Sequence, residues 1–357
     1  MEQKNKVDHM LAYFQSTYNE DMQFDRVAID RAYSAEDTKH PLIIKILSVF
    51  GGLLASIVFF GFLFLTGLYE SKTLLLAFSA LAIAAGLLVS RNDNGILWDT
   101  MSVALLAIGF IMLSFGLTAW DMPSQQIPLV LIVVAAACLA LAGNYMICFV
   151  STLILHGSIL AYIIGNHWDQ FTPFYLCGLV LLLSYIFLDE AALITRPKSL
   201  LKWYNPVKTA LIFAFFSGLI TLRVDFPLNV PVQAVLFTSG TCIILILFNA
   251  RAVLNRFAIT KSSYLILTYA LILLSLIPTA VAPGIAGSLL ILLLCFQTNY
   301  KTGFIIAAIA LIYFIGQCYY DLRFTLLTKS LLLFASGTFF IILYLFISKR
   351  HDQHKKI

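Results

Sequence analysis

The sequence predicts an all-α fold, a polytopic integral membrane helical bundle of about 12 transmembrane helices, from three observations. First, of 357 residues 61% are hydrophobic and 11% charged, with a mean hydropathy of +0.91, whereas a soluble domain carries about 25% charged residues. Second, apolar runs of near-spanning length follow one another with only short polar breaks. Third, the basic residues are distributed unevenly between alternate connections, as membrane topology demands. The chain divides into an acidic N-terminal extension over 1–41, a transmembrane domain over 42–347 and a basic tail over 348–357.

The extension holds five Lys/Arg and eight Asp/Glu. Val7, Met10, Leu11, Phe14 and Tyr18 recur at helical spacing in it, which predicts a short amphipathic helix. That helix either lies on the protein's own cytoplasmic face or docks a partner. The charged opening is not followed by a short apolar core and a small-residue cleavage site, so the first span is expected to direct insertion itself.

A span takes roughly 20 apolar residues across about 30 Å of hydrocarbon. Twelve segments approach this, near 42–68, 73–90, 97–119, 127–142, 145–164, 171–188, 206–222, 232–249, 263–281, 284–298, 302–318 and 326–347. The fourth and tenth are short. The longest internal polar connection, Asp189 to Pro206, falls after six spans and permits a six-plus-six layout, although the halves show no repeat. From Pro278 to Gly287 two prolines and two glycines interrupt an apolar stretch. This is either a hairpin turn between short helices or an interrupted helix of the kind that lines transporter sites.

Loops that stay in the cytoplasm are rich in Lys and Arg. With the N-terminus inside, 19 of the 23 basic residues fall on the cytoplasmic side, and only Lys72, Arg223, Arg323 and Lys329 fall outside. This favours N-in/C-in topology. Arg196, Lys198, Lys202 and Lys208 count among the topological charges of the connection after the sixth span. Because the positive excess follows topology, the expected partner is the lipid bilayer and not nucleic acid. Six cysteines fall singly in apolar runs or at their ends and read as packed thiols.

Ionisable groups inside hydrocarbon cost about 2.5–3.5 kcal/mol on insertion scales, so each needs a reason. His156 lies mid-span, and Cys148, Thr152 and His156 share one helix face. They line a polar pathway, or His156 is a neutral ring bonded to a neighbouring helix. Asp189 and Glu190 close the sixth span at its C-terminal end, where the helix dipole disfavours negative charge, and Arg196, Lys198 and Lys202 are near enough to compensate. Asp99 begins the third span, a favourable N-terminal position. The outer connections carry Trp120 and Asp121, His167 to Asp169, and Tyr319 to Asp321 with Arg323. Aromatics at span ends are ordinary interfacial anchors, and Lys329 either snorkels outward or pairs with Asp321 or Asp225. Phosphate-loop, zinc-helix, nucleophile-elbow and dinucleotide motifs do not occur. No catalytic residue, metal or cofactor is therefore expected.

The stretch Tyr319-Tyr320-x-Leu322-x-x-Thr325-Leu326-Leu327-x-Lys329-Ser330, followed by an apolar run with Gly337, resembles the C-terminal signature of a bacterial family of membrane proteins, domain of unknown function 4401. The opening at Pro41 to Leu68 is similar to that family too, and the likeness covers about residues 40–347. The resemblance implies a bacterial inner-membrane protein, often encoded beside a membrane protein with a GDYxxLxY motif, and no biochemical activity. It makes Tyr319, Tyr320, Thr325, Lys329 and Ser330 the first choice for a binding site on the outer face, to which the neighbouring charges Asp321 and Arg323 are added as candidates. The expected function is a non-enzymatic membrane component acting with such a partner. The alternative is a secondary transporter or exporter of a small or lipid-linked substrate. A component should have a packed interior and an exposed aromatic or small-residue strip, and a transporter should have a central cavity at His156.

Overall fold

A computed structural model describes residues 42–65, 71–91, 96–189, 198–222, 232–256 and 262–321, with Ser330, Phe334, Gly337, Thr338 and Ile341 beyond them. The expected amphipathic helix, most of the last span and the tail lie outside the described residues. Every regular element among the described residues is helical. In chain order they are α1 (Leu42–Leu65), α2 (Lys72–Val89), α3 (Ile96–Ala119), α4 (Ile127–Leu141), α5 (Tyr145–Gly165), α6 (Thr172–Leu188), α7 (Lys198–Thr221), α8 (Val232–Arg256), α9 (Ser262–Leu276), α10 (Pro283–Gln297) and α11 (Lys301–Asp321).

Six helices are long and apolar enough to cross a membrane: α2, α3, α5, α6 with its preceding 3-10 turn, α8 and α11. The helices α4, α9 and α10 have 15 residues each, about 22 Å of rise. The interruption after Pro278 becomes a 3-10 turn over Ile277–Val281 that joins α9 to α10.

Two helices run well past their expected bounds: α8, expected over 232–249, continues to Arg256, and α7 starts early. The seventh segment was placed at 206–222, yet α7 begins at Lys198 and carries Pro206 inside it. Proline removes one backbone hydrogen bond and clashes with the preceding turn, but membrane helices tolerate this where neighbours satisfy the freed groups. The helix therefore continues through a polar first half, and Lys208 is a helical residue rather than a loop cation.

The helices form two groups. In the first, α3 is central and receives α1, α2 and α5, while α4 packs on α5. Small residues allow close approach between helices. A Cβ on Gly109 of α3 would stand 2.5 Å from Ile83 Cγ1 and 3.0 Å from the Ile83 backbone nitrogen of α2. Ser56 ties α1 to α3 by donating to the Ala104 carbonyl at 2.9 Å. The second group, α6 to α11, shares one core around Leu183, Phe187, Phe215, Leu219, Leu290 and Leu294.

The groups meet along α5 and α7. Tyr145 reaches Thr209 and Phe149 meets Phe213 edge-on at 5.8 Å, so a step of four residues on one helix matches the same step on the other. Two contacts in the same order establish that α5 and α7 run parallel. Side by side in space, they are separated in sequence by the whole of α6.

Candidate functional site

Lys208 is buried to 1% exposure. Its ammonium lies 4.2 Å from the Tyr300 ring centroid, 4.5 Å from Tyr204 and 5.1 Å from Phe187. It also donates to the Tyr204 hydroxyl at 3.3 Å. Removing an ammonium from water costs several kcal/mol, and a desolvated cation over an aromatic face recovers about 2 kcal/mol or more. Three faces hold this one. The rings come from the end of α6, the first half of α7 and the link between α10 and α11, so one charge fastens three elements.

A line of hydroxyls continues from this cage. Tyr300 Oη and Thr209 Oγ1 are 2.7 Å apart, and Tyr145 donates to Thr209 at 3.3 Å. Thr209 has its own helix partner in the Asn205 carbonyl at 2.8 Å. The same end of the molecule holds a second link, because Gln297 donates to the backbone carbonyl of Asn249 at 3.0 Å. Asn249 is buried, and its Oδ1 has no partner among the described residues. Sequence reading missed Lys208 because charge alone assigned it to the connection. The available signal was the flanking pattern, Tyr204 one turn before a lysine that an apolar run follows.

His156 Nδ1 lies 2.9 Å from the Tyr175 hydroxyl of α6. Its expected stripe divides: Cys148 and Thr152 are buried, and the Thr152 hydroxyl is spent on the Cys148 carbonyl at 2.8 Å. Asp99 sits in the first turn of α3 and accepts from Asn144 Nδ2 at 2.6 Å. Asn144 in turn caps α5 by accepting from the Ile147 amide at 2.9 Å. Asp189 ends α6 and is exposed, while Glu190 and Arg196 lie outside the described residues.

Of the residues singled out at the last loop, Tyr319 and Tyr320 stand in the final turn of α11 with their rings edge-on at 5.8 Å. Tyr320 is 82% exposed. Asp321 ends α11 and Ser330 is exposed. Arg323, Thr325 and Lys329 lie outside the described residues. Lys72 and Asp121, two of the expected outer charges, pair at 3.0 Å across α2 and the end of α3 with both side chains largely in solvent. Among the described residues no group of three or more His, Cys, Asp or Glu could hold a metal ion.

The C-terminal end of α5, the following turn and the start of α6 carry a ladder of rings. Tyr162 meets Trp168 at 5.7 Å, Trp168 meets Phe171 at 5.9 Å, Phe171 meets Phe174 at 6.4 Å, and Phe174 meets Phe237 of α8 at 5.2 Å. Trp168, Phe171, Phe174 and Phe237 are all exposed. The ladder spans helices distant in sequence, so only Trp168 could be recognised beforehand, as an interfacial anchor.

The family profile described as Domain of unknown function (DUF4401) matches residues 41–350. Comparisons with curated proteins and with solved structures find no match.

Proposed function

From the premise that this chain belongs to the family Domain of unknown function (DUF4401), we propose that it is a non-enzymatic, multi-pass component of the bacterial inner membrane that works beside a membrane partner. In this reading twelve helices cross the bilayer and both ends are cytoplasmic. The observation that carries it is the ladder from Trp168 through Phe171 and Phe174 to Phe237, set on a closely packed core. Helices in lipid gain nothing from hydrophobicity against each other and associate by surface fit. Flat exposed rings supply such a surface at little entropic cost, because each ring has only two torsions. The GDYxxLxY-type membrane protein is the expected partner.

The test is affinity purification from native membranes in mild detergent, with mass spectrometry of what co-purifies. Wild type should bring down one stoichiometric membrane protein. The variant combining Phe171→Ala, Phe174→Ala and Phe237→Ala should lose it, and Lys329→Met should weaken it if the last helix shares the interface. Equal recovery in wild type and the triple variant sinks the docking surface, and recovery of the chain alone sinks the component reading.

The second reading is a secondary transporter or exporter. What favours it is the division into two helix groups joined along α5 and α7, with the His156 and Tyr175 pair beside that seam. Uptake or export in proteoliposomes that falls in His156→Ala would move the assignment to transport.

A further inference from the structure

The turn that opens α6 brings a carboxylate and a hydroxyl together. Asp169–Phe171 is a 3-10 turn, and the Thr172 amide closes it on the Asp169 carbonyl. Side chains three residues apart eclipse in such a turn, so Asp169 and Thr172 share one of its faces. Asp169 Oδ1 and Thr172 Oγ1 are both shielded from solvent, and among the described residues neither has a hydrogen-bond partner. Asp169 makes no ion pair among them either. An aspartate at a helix start commonly caps it by accepting a backbone amide, but Oδ1 caps nothing here.

An acid in the first turn faces the positive end of the helix dipole, which favours its ionised form. The turn therefore presents an anion beside a hydroxyl. A hard metal ion asks for a full shell of oxygens, whereas an ammonium asks for one acceptor per N–H. The carboxylate is partly exposed, which gives an ammonium a way in.

Position selects the source of that ammonium. One span ends at Gly165 and the next begins at Asp169, so the turn lies at the level of the headgroups, where tryptophans collect. Trp168 precedes Asp169 and Phe171 closes the turn, and both rings are exposed. Phe174 continues this apolar surface to Phe237 of α8. A soluble amine makes no use of such a surface. A lipid uses all of it, with its headgroup at Asp169 and a chain along the rings.

We propose that Asp169 and Thr172 bind the primary ammonium of phosphatidylethanolamine, with an acyl chain of that lipid against Phe174 and Phe237. The N–H groups donate to the carboxylate and to Thr172 Oγ1, and the bond to the carboxylate is charge-assisted. A trimethylammonium headgroup brings the charge without an N–H, and a glycerol headgroup brings hydroxyls without the charge. The site therefore ranks the primary ammonium first. The step is binding alone, and it does not rest on the partner proposed above.

The test is native mass spectrometry of the full chain, purified in dodecyl maltoside and stripped of lipid. Dioleoyl phosphatidylethanolamine, phosphatidylcholine and phosphatidylglycerol are added at equal concentration. Wild type should retain one phosphatidylethanolamine per chain ahead of the other two. Asp169→Asn keeps the shape and removes the charge, and should bind about tenfold more weakly, the value of one hydrogen bond to a charged group. Thr172→Val should lose less, and it decides the matter if Asp169→Asn fails to fold. Asp189→Asn changes an exposed carboxylate at the other end of α6 and should bind as wild type. Free ethanolamine at the lipid's concentration should displace nothing; displacement assigns the site to a soluble amine and overturns the proposal. Equal retention of the three lipids, or equal retention of phosphatidylethanolamine by wild type and the folded variants, overturns it as well. A basic residue of this chain seated on Asp169 would produce that equality.

Discussion

An ammonium leaves water only where its surroundings replace what water gave it, and at Lys208 three aromatic faces do so. Tyr300 is the most informative of them, because its ring faces Lys208 while its hydroxyl meets Thr209. Tyr300→Phe keeps the ring and should cost about 1 kcal/mol, the net value of one hydrogen bond. Tyr300→Ala also removes the face and leaves a cavity beside a buried cation, and should cost about 3–5 kcal/mol. Thermal unfolding of the two variants in detergent measures the difference. Lys72 and Asp121 give the contrast, since their pair is exposed and Lys72→Met should shift stability by less than about 1 kcal/mol. Sequence position revealed the charge of Lys208 but not its burial, because the rings around it arrive from α6 and from the α10–α11 link. His156 was legible as an intramembrane histidine. That Tyr175 is its partner was not, since only the tertiary fold brings residues 19 apart to 2.9 Å.

Glycine placement decides how closely the helices of the first group pack. Gly109→Leu would drive a side chain into Ile83, including its backbone nitrogen. It should cost more than about 3 kcal/mol and reduce accumulation in the membrane, read by fluorescence-detected size exclusion. The eleven described helices fall at the first eleven expected spans, because a run of apolar residues bounded by polar ones leaves one solution in lipid. The exceptions are the end of α8, which runs on to Arg256, and α7, whose polar first turns and Pro206 look like a connection when hydropathy alone is counted. Pro206 and Lys208 are buried by neighbours rather than by lipid, and neighbours cannot be read from a linear pattern.

For the molecule as a whole, the proposed N-in/C-in topology makes a direct prediction. A reporter phosphatase fused after Ser124, in the connection between α3 and α4, should be active. The same reporter fused at the C-terminus should be silent, and a fluorescent protein there should fold. Activity at both places removes the twelve-span topology. The two-group arrangement itself was not legible: the polar connection after the sixth span suggested a division there, whereas the first group ends with α5 and α6 packs with the second.

The parallel pairing of α5 with α7 sets an order of events in time. Tyr145 and Thr209 are 64 residues apart, and at about 5–20 residues per second a ribosome needs roughly 3–13 s to make that stretch. By the end of this interval α5 and α6 are complete, with the Tyr145 and Phe149 face of α5 uncovered and α6 still lacking its core. The nascent protein therefore passes through a waiting state in which a chaperone, a lipid or another copy can occupy the place of α7. Slowing translation between α6 and α7 should lengthen that exposure and lower the yield of folded protein.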